Sequence, residues 1–560
     1  MHGSDAAWRE VHGILERVFG GDAAGELERL RRELAEAELP PADRALLAAS
    51  ASMAAIIACD FDAAAALGAD AADAGASGDV VLRRLSQAVM LMSDAMAGTV
   101  NAAERGVDVA SARALLGEGG TNAGEAAPDG VLTRYLLTEA ALSSGDFEAA
   151  GALLAEHPMP ALVNVGAHPV PRLDGGALAL HLVAARALAF RGRGAEVAAM
   201  LAGFEALGAL VPARAVIVLR AIGCYAAAMA GDRETFAALA EHIVSRTRRD
   251  PNYLSVGASI YVVWGLRATA QLQRAAALLT STAGARLERC KIWDRALGFE
   301  LLVEAALQRG DAHSAADQLA QAEQLIEHRV AVSSVMRTRG VAALSAGESE
   351  LAHRLALAAI RIDEAAGSVT EVHRGRFTEA EALVASEPVR AAAILLGIAR
   401  DADALGVESV RLAAARRWRE LSDTVPGVRG DAAVLTERQR QVAALVAEGH
   451  SNRVIGQTLY LSPRTVQSHV SEVLRLTGSR SRVQLAARRS AGAEVVSDEL
   501  VASLSSRQVQ IARLVAEGDR NAEIAEKLGI SEKTVENHLA AVMRRLGVAS
   551  RAAVASRIGA

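Results

Sequence analysis

Lysine is nearly missing from this chain of 560 residues. Of its 60 Lys and Arg residues, only Lys291, Lys527 and Lys533 are lysines. A GC-rich bacterial genome accounts for that bias more simply than a function does. A Walker-type phosphate loop needs a Lys after Gly, and these three follow Cys290, Glu526 and Glu532, so the loop is excluded. Aromatic residues make up only 3% of the chain, and alanine is abundant, which favours helices over sheets. The three cysteines, Cys59, Cys224 and Cys290, form no CxxC pair and no disulfide framework, which points to a reducing cytoplasm. Long uncharged runs are also missing. The most apolar stretch, 207–230, is broken by Pro212, Arg214 and Arg220, so no membrane span is expected. Asp5, Arg9 and Glu10 argue against a signal peptide over residues 1–11. There is no HExxH, no GxSxG and no His/Cys cluster at metal spacing. His157 and His168 share a Pro-containing loop and read as a solvated pair. No catalytic residue, metal ligand or cofactor is expected, and the chain does not read as an enzyme.

What is present is uneven. The net charge of −6 hides a basic tail: residues 431–560 hold 18 Lys and Arg against 13 Asp and Glu, which leaves −11 for the preceding 430 residues. A basic module on an acidic body suits polyanion binding. The length allows several domains.

Residues 1–421 read as Ala- and Leu-rich helices with short breaks. A helix, then Gly with an acidic residue, then another helix recurs at Gly145-Asp146, Gly231-Asp232, Gly310-Asp311 and Gly347-Glu348, with a weaker copy from Gly192 to Glu196. The intervals lie near 40 residues, longer than the ~34 of a tetratricopeptide repeat but within the range of helical solenoids. Gly ends one helix in the left-handed conformation, and the acid suits the first turn of the next. Ala149, Ala150 and Leu153, and likewise Ala315, Ala316 and Leu319, then fall where two helices approach closely. The expectation is an all-α, tetratricopeptide-like solenoid of helical hairpins, with an irregular helical bundle as the alternative. Loops are expected over 118–130 and 157–176, and a linker over 422–434. Trp264, Trp293 and Tyr261 read as solenoid core, or as the lining of a groove.

The tail is one unit written twice. Residues 435–490 and 504–559 align without a gap, with roughly two-fifths of positions identical. Each copy predicts four helices. Thr436 with Gln439, and Ser505 with Gln508, form capping boxes. Gly449 and Gly518 stop helix one. Helix two starts near Asn452 or Asn521, and Ser462 or Ser531 caps helix three, with Pro463 at its first position. Helix three buries Val466, Val470, Val473 and Leu474, or Val535, Leu539, Val542 and Met543. Its other face carries Arg464, Gln467, Ser468, Ser471 and Arg475, or Lys533, Glu536, Asn537, Ala540 and Arg544. Short polar groups flanked by cations suit a helix entering the DNA major groove. Two plain amphipathic hairpins are the bland alternative, which the duplication disfavours.

The runs Leu504-Ser505-Ser506-Arg507-Gln508, Asn521-Ala522-Glu523-Ile524-Ala525, Leu528-Gly529-Ile530-Ser531, Thr534-Val535-Glu536-Asn537-His538 and Arg545-Leu546-Gly547 to Ser550-Arg551 resemble the LuxR-type helix-turn-helix. The first copy resembles it through Leu435-Thr436-Glu437-Arg438, Ser451-Asn452, Thr465-Val466 and His469. That resemblance implies base contacts at Gln467, Ser468, Ser471, Glu536, Asn537 and Ala540. It implies backbone contacts at Asn452, Arg464, Thr465, Arg482, Asn521, Lys533, Thr534 and Arg551. His469 and His538 would touch phosphate or pack at the helix flank. Tyr460 stands where the second copy has Gly529, which strains a position of positive φ, and Leu476-Thr477 replaces the Arg545-Leu546 pair. The second copy is therefore expected to dominate binding.

A phosphorylated receiver is excluded because no Lys precedes residue 291. The expected organisation is a helical-repeat body (1–421), a linker (422–434), a first LuxR-type domain (435–490), a linker (491–503) and a second domain (504–560). The expected function is a cytoplasmic, sequence-specific transcription regulator that binds double-stranded DNA, with a protein or small-molecule effector on the body. A protein-interaction scaffold with a DNA-anchoring tail is the alternative. The resemblance implies pairing through the fourth helices, with Val483, Leu485 and Ala486 against Val554, Ala555 and Ile558. Pairing inside one chain and a homodimer both remain open.

Overall fold

The computed structural model describes residues 23–36, 39–78, 80–99, 128–155, 158–161, 163–164, 172–173, 175–247, 252–422, 435, 437–477, 479, 481–483, 485, 504–516, 519–546, 548, 551 and 554. Of the linker read at 422–434, Ser422 ends a helix and the rest lies outside these residues, as do the linker at 491–503, the segments 1–11 and 118–127, and His157, His168, Thr436 and Gly518. The chain is all-α, as its composition predicts: the described residues hold 25 α-helices, two 3-10 turns and one two-residue strand pair. It falls into two compact units, Met1–Glu387 with Asp401–Val410, and Pro388–Arg400 with Arg411–Ala560.

The first unit runs through α1 (Ala23–Glu36), α2 (Pro41–Ile57), α3 (Phe61–Gly75), α4 (Val80–Ala97), α5 (Pro128–Ser143) and α6 (Phe147–Ala155). It continues with α7 (Gly175–Phe190), α8 (Gly194–Ala206), α9 (Ala213–Met229), α10 (Arg233–Thr247), α11 (Tyr253–Ala268) and α12 (Leu272–Ala283). Then come α13 (Ile292–Gln308), α14 (Ala312–Glu323), α15 (Val332–Ser345), α16 (Ser349–Ala365) and α17 (Val369–Leu383). Each helix packs on the next, and α5, α7, α9 and α11 also pack one on another in series, as do α13, α15 and α17. This neighbour-on-neighbour burial is how a repeat hides an apolar face that one hairpin cannot cover alone.

The recurring turn works as its residues predict. Gly145 has φ 73°, its N–H bonds to Leu142 O, and the next N–H reaches back to Ala141 O. Asp146 then accepts from Ala149 N at 2.8 Å and caps α6. Gly192, Gly231, Gly310 and Gly347 share the left-handed backbone. So do Cys59 and Ala270, which carry no glycine signal. Ala270 fills the long gap between Gly231 and Gly310, so the period is more even than glycine alone indicates.

Local differences have local causes. Helix α5 starts at Pro128, inside a stretch read as loop, because proline's missing N–H costs nothing at a helix start. Within 157–176, β1 (Val163–Asn164) and β2 (Arg172–Leu173) pair antiparallel. Ala149, Ala150 and Leu153 are buried, as is Ala315. Ala316 is exposed, so that face of α14 is narrower than expected.

Charge is buried inside this alanine-rich body. Arg337 on α15, 1% exposed, reaches Glu300 on α13 at 3.2 Å, Glu371 on α17 at 2.5 Å, and Asp363 on α16. Arg267 on α11 also holds Glu300, at 3.2 Å. Burial alone would push the Glu300 carboxyl up, but Arg337, Arg374 and Arg267 hold it well below the usual carboxylate range. Burial wins at Asp363, pushing it up to about 6.

These opposite shifts make a prediction for stability. Arg337→Met removes the cation shared by three buried carboxylates, leaving Glu300 to Arg267 and Arg374 and Glu371 to Arg374, and should cost about 3–5 kcal/mol, read by chemical denaturation. Asp363→Asn should cost far less, because its charge is the one burial already disfavours. Equal losses for the two would refute a network centred on Arg337.

Candidate nucleic-acid interface

The tail belongs to the second unit, with most of α18 (Pro388–Ala404) and the C-terminal part of α19 (Glu408–Ser422). Arg411 of α19 is fully buried and donates to Leu435 O, where the first copy begins. The first copy contains α20 (Glu437–Ala447), α21 (Asn452–Leu459) and α22 (Pro463–Leu476). The second contains α23 (Ser506–Ala516), α24 (Asn521–Leu528) and α25 (Glu532–Arg545). Of the fourth helices, Arg482, Val483 and Leu485, and Arg551 and Val554, are described as helical.

The caps form as their residue types dictate. Ser505 Oγ accepts from Gln508 N at 3.3 Å, and Ser505 N donates to Gln508 Oε1 at 3.0 Å. Ser462 accepts from Thr465 N at 3.1 Å, and Ser531 from Thr534 N at 3.2 Å. With the third helices so aligned, Val466, Val470, Val473, Val535, Leu539 and Val542 are buried. Arg464, Gln467, Ser468 and Ser471 are exposed together on α22, and Lys533, Glu536, Asn537 and Ala540 on α25. Each set is an exposed face, polar apart from Ala540, carrying a cation at its N-terminal end. Lys533 Nζ lies 3.0 Å from Glu536 Oε2, a surface pair that water weakens. His469 and His538 are half-buried at the flanks of these faces.

Other residues turn inward. Arg482 Nη1 donates to Asn452 Oδ1 at 2.5 Å, and its Nη2 to His450 O at 2.6 Å. Asn452 Nδ2 in turn donates to Gln467 Oε1 at 2.5 Å. In the second copy Arg551 bonds to Asn521 Oδ1 and Asp519 O. Burial lowers the basicity of both guanidiniums. These arginines fasten the fourth helix to the start of the second, and through Asn452 the first copy's clamp reaches the exposed Gln467. A further clamp carried no legible role in the sequence: Arg507 Nη2 donates to Leu528 O at 2.7 Å, and Arg438 to Leu459 O. The only signal available was recurrence of the same arginine in both copies.

The copies touch. Val483 packs against Ala447 of its own copy and also against the second copy's core, the cluster that contains Ile511, Val535 and the fully buried Val554. Ala486, Ala555 and Ile558 lie outside the described residues.

The family model "Bacterial regulatory proteins, luxR family" matches residues 433–488 and 502–558. The transcriptional regulatory protein DegU of Brevibacillus brevis is 43% identical over 51 residues, 9% of this chain and 22% of that protein. Rv0890c of Mycobacterium tuberculosis (strain ATCC 25618 / H37Rv), named as an HTH-type transcriptional regulator, is 52% identical over 58 residues, 10% of this chain and 7% of that protein. The oxygen regulatory protein NreC of Staphylococcus aureus (strain JH9) is 50% identical over 48 residues, 9% of this chain and 22% of that protein. The C-terminal region thus carries a LuxR-family helix-turn-helix, and the likeness spans under a quarter of each of these relatives. Among the described residues, no helix is long and apolar enough to cross a membrane.

The turn between the second and third helices distinguishes the copies. Gly529 has φ 63° and ψ 38°; Tyr460 is forced to φ 55° and ψ 43° with its ring 95% exposed. A side chain in that conformation costs about 1–2 kcal/mol. Tyr460→Gly should therefore stabilise the first copy by about 1 kcal/mol after glycine's own entropy, and Gly529→Ala should destabilise the second by a similar amount. Thermal unfolding of the two variants reads this, and shifts of the same sign would contradict it.

Proposed function

We propose that this chain is a sequence-specific transcription regulator in which both tail copies bind double-stranded DNA and the helical body receives an effector. The observation that carries the reading is the duplicated third helix, buried on one side by valines and presenting Gln467, Ser468 and Ser471, or Glu536, Asn537 and Ala540, on the other. Amides, hydroxyls and a carboxylate at that position read base edges in the major groove. Arg464 and Lys533, at the first turns, meet phosphate, with Asn452, Thr465, Asn521 and Thr534 near the backbone. Arg482 and Arg551 act through the asparagines they hold, keeping the second helix in register. The match to the luxR family over both copies supports the same assignment.

Contact of Val483 with the second copy's core favours pairing of the two copies within one chain. Such a pair presents two recognition helices without a second molecule, although a homodimer of whole chains remains compatible with it.

Binding of promoter DNA, including the chain's own upstream region, to the full-length protein tests the reading at low salt. Asn537→Ala should lose about 1–3 kcal/mol at particular base pairs only. Lys533→Ala should weaken all sequences alike and reduce the salt slope by about one unit. Uniform loss for Asn537→Ala would contradict base reading by α25.

The pairing gives its own outcome. Val483→Asp places a charge against an apolar core and should shorten the footprint to a single half-site while each copy stays folded. An unchanged footprint, with the protein monomeric, would show that the copies engage DNA separately.

A further inference from the structure

The chain has four tryptophans, five tyrosines and eight phenylalanines. Trp264, Trp293, Tyr135, Tyr253, Tyr261 and Phe190 line one cavity in the helical body, between α5, α7, α11 and α13. Lys291, the only lysine before residue 527, lines it too. The cavity measures about 80 Å³. That is several times the ~10–15 Å³ one water requires, and about half the ~150 Å³ of an apolar cavity that takes benzene.

Its polar wall has more donors than acceptors. Glu139 accepts from Arg186 Nη1 at 2.5 Å and from the Tyr253 hydroxyl at 3.3 Å. Lys291 Nζ donates to Ser143 Oγ at 3.2 Å and stands 3.9 Å from Glu139 and 5.8 Å from the Trp293 ring centroid. Two buried N–H groups on this wall, Arg186 Nε and Trp264 Nε1, have no hydrogen-bond partner. An unmet buried donor costs about 1–3 kcal/mol, so the site is built for something that accepts. Burial pushes the Asp294 carboxyl up and the Lys291 amine down, each toward its uncharged form. A cationic occupant would face Arg186 and Lys291 while Glu139 is already engaged.

We infer that this cavity binds a small monocarboxylate of roughly four to six non-hydrogen atoms, its oxygens taking N–H groups of Arg186, Trp264 and Lys291 and its apolar end lying against the aromatic rings. This names the effector class of the body. Only its regulatory meaning rests on the DNA-binding reading, because occupancy is measured without DNA.

Gly257 on α11 lines the cavity, and a Cβ there would meet no atom within 4 Å. The first side-chain carbon of Gly257→Leu therefore has room, and the variant adds apolar bulk to the cavity lining. Titration calorimetry on the full-length chain, at fixed ionic strength, compares sodium propionate with propionamide and ethylammonium chloride. Propionate should bind, with both other probes at least about tenfold weaker, the worth of a charge-assisted hydrogen bond. Gly257→Leu should melt higher than the parent without ligand and lose propionate binding. Trp264→Phe, which keeps an aromatic ring and removes the N–H, should weaken binding about tenfold. The inference is overturned if propionate gives no heat beyond the sodium chloride control, if ethylammonium binds more tightly, or if folded Gly257→Leu binds propionate like the parent. Loss of DNA binding with propionate binding intact would sink the regulator reading and leave this site standing.

Discussion

A residue held in the left-handed conformation at the end of a helix recurs from one end of this protein to the other. It lets the last N–H groups of the turn bond back to the helix they have just left, and it reverses the chain within two or three residues. In the body it makes hairpins, and in the tail it makes the tight step from the second helix to the third. Everything built on those hairpins, including the cavity between helices and the polar face of the third helices, depends on that reversal. Glycine fits it without strain at most sites. Cys59, Ala270 and Tyr460 adopt it against the preference of a residue with a Cβ.

Alanine-rich helices approach closely but bury little apolar area per residue, so specificity in the body must come from elsewhere. The body uses buried charge. The Arg337 network joins α13, α15, α16 and α17, and the Glu139–Arg186 pair joins α5 to α7. Such groups tolerate only one register, because a slip of one residue leaves an ion without a partner. The two centres differ in surroundings. Around Arg337 each carboxylate meets a cation, although Arg267 Nη1 and Arg374 Nε stay unpaired there; the unpaired donors of Arg186 and Trp264 belong to residues that line a cavity.

In the tail, the same economy separates side chains that stay exposed from side chains that hold the helices together. Cations on the first turn of each third helix stay exposed, while Arg438, Arg482, Arg507 and Arg551 bond to backbone carbonyls and asparagines. One residue type thus does two jobs, decided by whether its fork reaches a carbonyl of a neighbouring helix.

Helix content, the glycine turns, the caps and the buried stripe of each third helix were legible in the amino-acid sequence, because each depends on residues within about one turn of one another. The duplication in the tail was legible for a simpler reason: identity at a fixed offset needs no geometry. The turns at Cys59 and Ala270 were not, since nothing local marks a strained residue. Nor was the inward set of Arg482 and Arg551, which is fixed by partners 30 residues away. Trp264, Trp293 and Tyr261 suggested a groove or a core and no more. Only tertiary packing brings them to Arg186 and Lys291, because the helices that carry them are neighbours in space through contacts the local pattern does not encode.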